Sequence, residues 1–154
     1  MQTADQTVIT KESVDAFVAA TDLHRLHYAE VCTDRKLMAL DPHWERYWEL
    51  DAAGLLLTLI ARVGAEVVGY SVNILVPQHL HYRSMPFVQN DLIFVRQEHR
   101  GRGIGVRLIR ETEKVAKALD YQAVMWHAKK DTPLESTLLR MGHHVQDVIL
   151  MKAL

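Results

Sequence analysis

"HRGRGIG" occupies residues 99–105, between the apolar run "DLIFVRQE" (91–98) and "VRLIRETEKVAKALD" (106–120). Three glycines alternate with other residues, and Arg100 and Arg102 sit among them. The run before reads as the end of a buried strand. The run after has the period of an amphipathic helix. A helix N-terminus leaves backbone N–H groups unpaired and carries the positive end of the dipole. Glycines let those N–H groups approach an anion without side-chain collisions. Phosphate binding is therefore the first reading. Two familiar phosphate loops are excluded by spacing. A dinucleotide fingerprint needs glycine at positions 1, 3 and 6, and the sixth residue from Gly101 is Val106; no G-x-x-x-x-G-K-[ST] run exists. What remains is Arg100-x-x-Gly103-x-Gly105.

Outward from this loop, an alternation of strands and helices emerges. "FVQNDLIFV" (87–95) predicts a buried central strand. "LLLTLIARV" (55–63) and "EVVGYSVNILV" (66–76) predict a hairpin turning at Gly64-Ala65. "TVIT" (7–10) predicts a first strand. Ser13 is an N-cap candidate for a helix over 14–31, which Thr21-Asp22 divides in two. Asp41-Pro42 signals a helix start that places Trp44, Tyr47 and Trp48 on one face. The helix over 102–119 turns Ile104, Leu108, Ile109, Thr112, Val115, Ala116 and Leu119 inward. Then come a strand "YQAVMWHA" (121–128), a helix "TPLESTLLRM" (132–141) stopped by Gly142, and a closing strand "HVQDVILMKAL" (144–154). The order β-α-α-β-β-β-α-β-α-β is a mixed α/β domain spanning residues 1–154, mainly antiparallel, with one parallel crossover.

Composition fits one soluble globular domain. Of 154 residues, 49% are apolar and 24% charged, and the net charge is −1. That balance argues against a general nucleic-acid binder. A single cysteine, Cys32, permits no intrachain disulfide, and "MQTADQTVIT" lacks a signal-peptide pattern. The longest apolar stretch is interrupted by Arg62, Gly64 and Glu66, so no membrane span is expected. The reading is a cytoplasmic protein.

Loop pattern, element order and length together resemble the Gcn5-related N-acetyltransferase (GNAT) family, most strongly over 90–142. The resemblance implies a single-domain fold whose fourth and fifth strands splay apart to admit acetyl-coenzyme A (acetyl-CoA). It implies backbone contacts to the pantetheine arm near Phe94 and Val95, with the Val95 N–H as an oxyanion donor. It places the pyrophosphate on Arg100, Gly101, Arg102, Gly103, Ile104 and Gly105. Asp91 occupies the place of a carboxylate base acting through water; the alternative is a strand-end carboxylate paired with an arginine. The family's usual tyrosine, four residues before the helix-ending glycine, is here Leu138. The asparagine at that helix's start is Asp131. His127 and Tyr82 are the substitute candidates for a general acid. The short ending also resembles compact members found in phages and prophages.

The nine histidines offer no pair with a carboxylate or cysteine at ligand spacing, so no metal site is expected. The family resemblance places the border of an acceptor pocket at the loop "HLHYRS" (79–84); Trp44, Tyr47 and Trp48 either line the same pocket or, as a helical aromatic stripe more commonly does, pack in the core. The acceptor is an amine of a small molecule or protein, with a modified nucleobase also open. The apolar closing segment reads as a strand near a sheet edge, a liability that proteins cover; the family resemblance implies covering by a second copy and hence a homodimer. The alternative function is a non-catalytic module of the same fold that binds coenzyme A or a partner.

Overall fold

The computed structural model describes residues 6–154; the first part of the N-terminal stretch read for a targeting signal lies outside them. Five strands lie side by side in chain order: β1 (Thr7–Glu12), β2 (Leu56–Val63), β3 (Glu66–Val76), β4 (Phe87–Val95) and β5 (Ala123–Met125). The first four pair antiparallel and β5 pairs parallel to β4. Helices α1 (Val14–Ala19), α2 (Thr21–Val31) and α3 (Trp44–Ala52) precede the hairpin; α4 (Ile104–Ala118) makes the parallel crossover and α5 (Pro133–Arg140) follows β5.

The sheet is covered on both faces, which explains why β2 is apolar without alternation. Leu57, Leu59 and Ala61 share a core with Ile104, Leu108 and Ala116 of α4. Leu56 and Ile60 turn the other way, toward Val14, Phe17 and Leu23 of α1 and α2. The hairpin turns at Gly64-Ala65 as its sequence requires, with Gly64 at φ +59°. Gly69 serves a different need: a Cβ there would meet the Phe94 carbonyl at 2.8 Å, so β3 and β4 approach only because this residue is glycine.

Several helix signals resolve differently from their sequence reading. Ser13 stands at the N-cap of α1 without capping it; its hydroxyl donates to Asp15, and the Val14 N–H is taken instead by Asp51 of α3 at 3.3 Å. The predicted division of the first helix occurs at Ala20. α3 begins at Trp44, because the His43 ring nitrogen, two residues past Asp41, accepts the Arg46 N–H. Leu119, expected inward, is the C-cap of α4 and 44% exposed.

Two strand expectations need correction. The fifth strand has three residues, not eight. The closing strand does not form among the described residues: 143–154 carry no strand or bridge, and Val148, Ile149 and Leu150 are exposed. A strand needs a neighbour to take its peptide groups, and among the described residues this segment pairs with none.

Candidate active site

β4 and β5 part company early. Their pairing covers only Phe87↔Ala123, Val88↔Val124 and Gln89↔Met125. From Asn90 to Val95 the same edge of β4 has no strand beside it. Alternation determines which groups face this gap. The Arg96 N–H bonds to the Val68 carbonyl at 2.8 Å, so Phe94, opposite Tyr70, turns its peptide groups toward β3. Ile93 and Val95 turn theirs into the gap. The Val95 carbonyl is occupied by Arg100 Nε at 2.8 Å. Its N–H remains aimed at the gap.

Asp91 sits beside the same opening for a specific reason. The register of β4 against β3 jumps from Leu92↔Val72 to Asn90↔Asn73, leaving Asp91 as the extra residue of a β-bulge. Bulges re-aim side chains and are frequent next to active sites. The Asn90 amide stitches the bulge, donating to Asn73 Oδ1 at 2.9 Å, with the Val72 and Leu92 carbonyls also in reach. Asn73 and Ser71 carry the network to the Leu57 carbonyl and to Thr112 of α4. All four side chains are buried. They fix the bulge to both the sheet and α4.

Tyr47 of α3 donates to Asp91 Oδ2 at 2.5 Å. Burial, and then the neighbouring carboxylate, hold the Tyr47 phenol far above its ordinary value, so it remains a donor. Tyr70, from β3, is pushed the same way by burial, Tyr47 and Asp91. Phe17 packs edge-on against Tyr70 at 5.0 Å and tilted against Tyr47 at 5.4 Å. Tyr70 shares a 2.8 Å hydrogen bond with His27 of α2, whose ring stacks on Phe94 at 4.7 Å. Burial lowers His27 to about 4, with His24, Arg100 and Lys129 adding to the effect against Glu30. It is therefore a neutral imidazole near pH 7.

The glycine loop follows β4 through a single 3₁₀ turn, Gln97–His99. Gly101 and Gly103 have φ of +77° and +78°, a left-handed conformation that disfavours side chains. Gly103 is the N-cap of α4 and supplies no side-chain cap, so the helix's first N–H groups stay open. Packing does not explain these glycines. A Cβ at Gly101 or Gly103 would meet nothing within 4 Å, and one at Gly105 would meet only Val95 Cγ2 at 4.0 Å. Ile104 is buried under the loop and anchors it. Arg102 is exposed and makes no hydrogen bond or ion pair among the described residues. Arg100 is committed inward: its guanidinium lies over Phe94 at 5.1 Å and forms a bidentate pair with Glu30 of α2 at 2.8 and 2.7 Å.

The structure thus gathers Asp91, Val95 and the loop 100–105 along one edge of β4. Among the described residues, no hydrogen bond or ring contact links the other candidates to these groups. Tyr82 is 62% exposed in the loop before β4, packed on His79, which in turn meets Phe87 at the strand's start. His127 is exposed two residues past β5. Asp131 is exposed at φ +62°, its N–H donating to Glu135 at 2.5 Å. Leu138 is buried apolar surface of α5. Tyr47, Tyr70, His27 and Asn90 form the inner wall, and none stood out in the sequence as a site residue except Tyr47, read as pocket lining. The signal for the bulge was "ND" at 90–91, two polar residues interrupting an apolar strand.

A family model described as the acetyltransferase (GNAT) family matches residues 19–141. A search of curated protein sequences finds no match. Solved structures agree on the fold. An aminoglycoside acetyltransferase from an uncultured soil metagenomic sample, in complex with sisomicin, aligns with TM-score 0.73 and 18% identity over 96% of both chains. A predicted acetyltransferase with acetyl-CoA from Clostridium acetobutylicum aligns with TM-score 0.77 and 14% identity, again over 96% of both. A ribosomal-protein-alanine N-acetyltransferase from Brucella melitensis aligns with TM-score 0.68 and 17% identity, over 96% of this chain and 97% of that one. With 123 of its residues inside the family match, the chain belongs to the GNAT acetyltransferase family.

Proposed function

We propose that this protein transfers an acetyl group from acetyl-CoA to a primary amine, both substrates being bound together. The observation that carries the reading is the juxtaposition along β4: an edge with unpaired peptide groups, a bulged carboxylate, and a glycine loop whose glycines serve no packing purpose. These features fit acetyl-CoA. The gap offers the Ile93 peptide groups to an amide-containing arm, the Val95 carbonyl being taken by Arg100. The open N–H groups at Gly103–Gly105, with Arg102, fit a pyrophosphate. Arg100 shapes the loop by tying it to α2.

Acetyl-CoA supplies an activated thioester, whose acetyl carbon passes to the amine nitrogen as the C–S bond breaks. The chain's residues handle the protons and charge. Tyr47 holds one oxygen of Asp91, which leaves the other to take the ammonium proton, directly or through water. The Val95 N–H is placed to stabilise negative charge developing on the carbonyl oxygen. The acceptor approaches from the α3 side, past Trp44 and Tyr47, with the 77–86 loop as the outer border. A cytoplasmic setting belongs to the same reading, supported by the lone Cys32.

Release of coenzyme A thiol, followed across protein, amino-acid, polyamine, aminoglycoside and nucleobase amines, is the direct test. Asp91→Asn should lower turnover by roughly 10²–10⁴-fold and leave acetyl-CoA affinity nearly unchanged. Normal turnover in that variant would move the base elsewhere. One observation favours a second reading, a coenzyme A-binding module without catalysis: buried Leu138 stands where the family's usual proton-donating tyrosine belongs. Coenzyme A binding without thiol release for any amine would decide for it.

A further inference from the structure

A neutral imidazole carries one proton on two nitrogens, and the nitrogen without it is an acceptor. For His27 the partner decides which is which. Tyr70 is fully buried, and among the described residues its hydroxyl meets only His27 Nδ1, at 2.8 Å. A sealed phenol that keeps its proton has to donate it, and Nδ1 is the acceptor in reach. Nδ1 therefore accepts, and the ring's own proton sits on Nε2.

That N–H is uncommitted. Nε2 has no hydrogen-bond partner among the described residues. Unlike Thr58 Oγ1, Asn90 Oδ1, Arg96 Nε and His99 Nδ1, it is not sealed from solvent, although His27 as a whole is only 8% exposed. The fold uses Nδ1 and the face of the ring, and leaves a donor over.

The ring's place is set by β4. It lies within 18° of parallel to Phe94, with centroids 4.7 Å apart. Arg100, held by Glu30 of α2, covers the same Phe94 ring. The peptide that joins Phe94 to Val95 carries the Val95 N–H, which is aimed into the gap beyond the last β4–β5 pair. Lys129, on the segment that follows β5, acts on the charge of His27 together with Arg100 and Glu30, so the ring stands near the mouth of that gap. His27 thus brings a second N–H to the stretch of β4 that already offers one.

We propose that His27 is a catalytic residue: its Nε2–H donates to the carbonyl oxygen of the acetyl thioester beside the Val95 N–H, and the two form an oxyanion hole. The proposal rests on the acetyl-transfer reading. As the amine nitrogen bonds to the acetyl carbon, the carbonyl π pair moves onto oxygen, where the two N–H groups hold the charge. The pair returns as the C–S bond breaks, and that bond's electrons leave with sulfur. The proton that nitrogen sheds balances the one that sulfur takes up through water. His27 gives up no proton. Tyr70 is the positioning residue that keeps the ring in its Nε2–H form.

Nitrogen-15 NMR of the imidazoles in the full chain reads the tautomer directly. At pH 7 His27 should show a protonated Nε2 and a bare Nδ1; the opposite pattern overturns the proposal and leaves acetyl transfer standing. A ketone analogue of acetyl-CoA, with CH2 in place of sulfur, should shift the Nε2–H proton resonance at saturation; an unmoved resonance overturns the proposal. In thiol-release assays His27→Phe keeps a ring against Phe94 and has no donor. Its kcat should fall roughly 10²–10³-fold with the acetyl-CoA KM nearly unchanged. A normal kcat, with or without a raised KM, overturns the assignment. His27→Gln, whose amide can accept from Tyr70 and also donate, should recover part of the loss; a Gln variant no better than Phe counts against it. If His27→Phe fails to fold, the two NMR readings decide. An unaltered protein that releases no thiol with any amine fails the acetyl-transfer reading, and the proposal falls with it.

Discussion

Gly105 separates what the fold needs from what a ligand needs. It lies in the first turn of α4 with no positive φ, and a Cβ there would make only an ordinary contact with Val95 Cγ2. Glycine inside a helix costs about 0.5–1 kcal/mol relative to alanine. Gly105→Ala should therefore raise stability by up to about that amount in urea unfolding. It should also weaken coenzyme A binding in calorimetric titration, because a side chain on the first turn of α4 narrows the approach to its open N–H groups. Greater stability with unchanged affinity would show that the loop binds nothing at Gly105. His27 makes a different statement. Its imidazole binds a proton near pH 6.5 when unfolded and near 4 when buried. Between those values the unfolded chain holds more protons, so stability falls as pH falls through this window. Above about 6.5 the contribution is constant; below about 4 the loss is complete, on the order of 2–4 kcal/mol. Burial pulls His24 in the same direction. His27→Gln should flatten the dependence of the urea midpoint on pH between about 6.5 and about 4. An unchanged slope would assign acid lability to other groups.

Elements differed in how far their sequence revealed them. The hairpin and α4 announced themselves through local chemistry: Gly64-Ala65 between β-rich runs, and an apolar stripe at helical spacing. β4 was visible as apolar, but its bulge was not located, because a bulge is set by register against β3 and register is a two-strand property. For the same reason Tyr47 was read as pocket lining rather than as the partner of Asp91, 44 positions away. The closing segment had a strand's composition and lacked a strand's neighbour. The loop over 79–84 was read as a pocket border from its polar and aromatic side chains, and it is organised: the His79 ring accepts the N–H groups of His81 and Tyr82 and packs on Phe87. That gives its outermost aromatic, Tyr82, a fixed position without a structural duty. Tyr82→Ala should consequently leave thermal stability and the acetyl-CoA KM nearly unchanged while raising the acceptor KM several-fold, a loss of binding shared by ground and transition states. Equal increases in both KM values would return the loop to a general role in the fold.

At the scale of the whole molecule, the sheet is one body along β1–β4 and is barely joined to β5. Three residue pairs hold β5 to β4, whereas β3 and β4 pair from Gly69↔Val95 to Val76↔Phe87. Backbone hydrogen bonds that are missing from a sheet must be replaced by another partner or by water. On the proposed reading the replacement is the amide-bearing arm of coenzyme A, seated between β4 and the segment following β5, with the pyrophosphate on α4. Binding then does two things. It stabilises the folded chain by mass action, about 2.7 kcal/mol at a hundredfold excess over Kd. It also couples β4 to β5 across a gap that no strand of the described residues fills. Hydrogen exchange should show both effects with residue resolution. The amides of Ile93 and Val95 should exchange readily in the free protein, despite lying in a central strand, and slow markedly with coenzyme A. Those of Phe94 and Leu92, bonded to β3, should already be slow. The amides at Gly103–Gly105 should slow together with Val95. Protection confined to the loop, with Ile93 and Val95 unaffected, would leave the anion site standing and remove the strand gap as the seat of the arm.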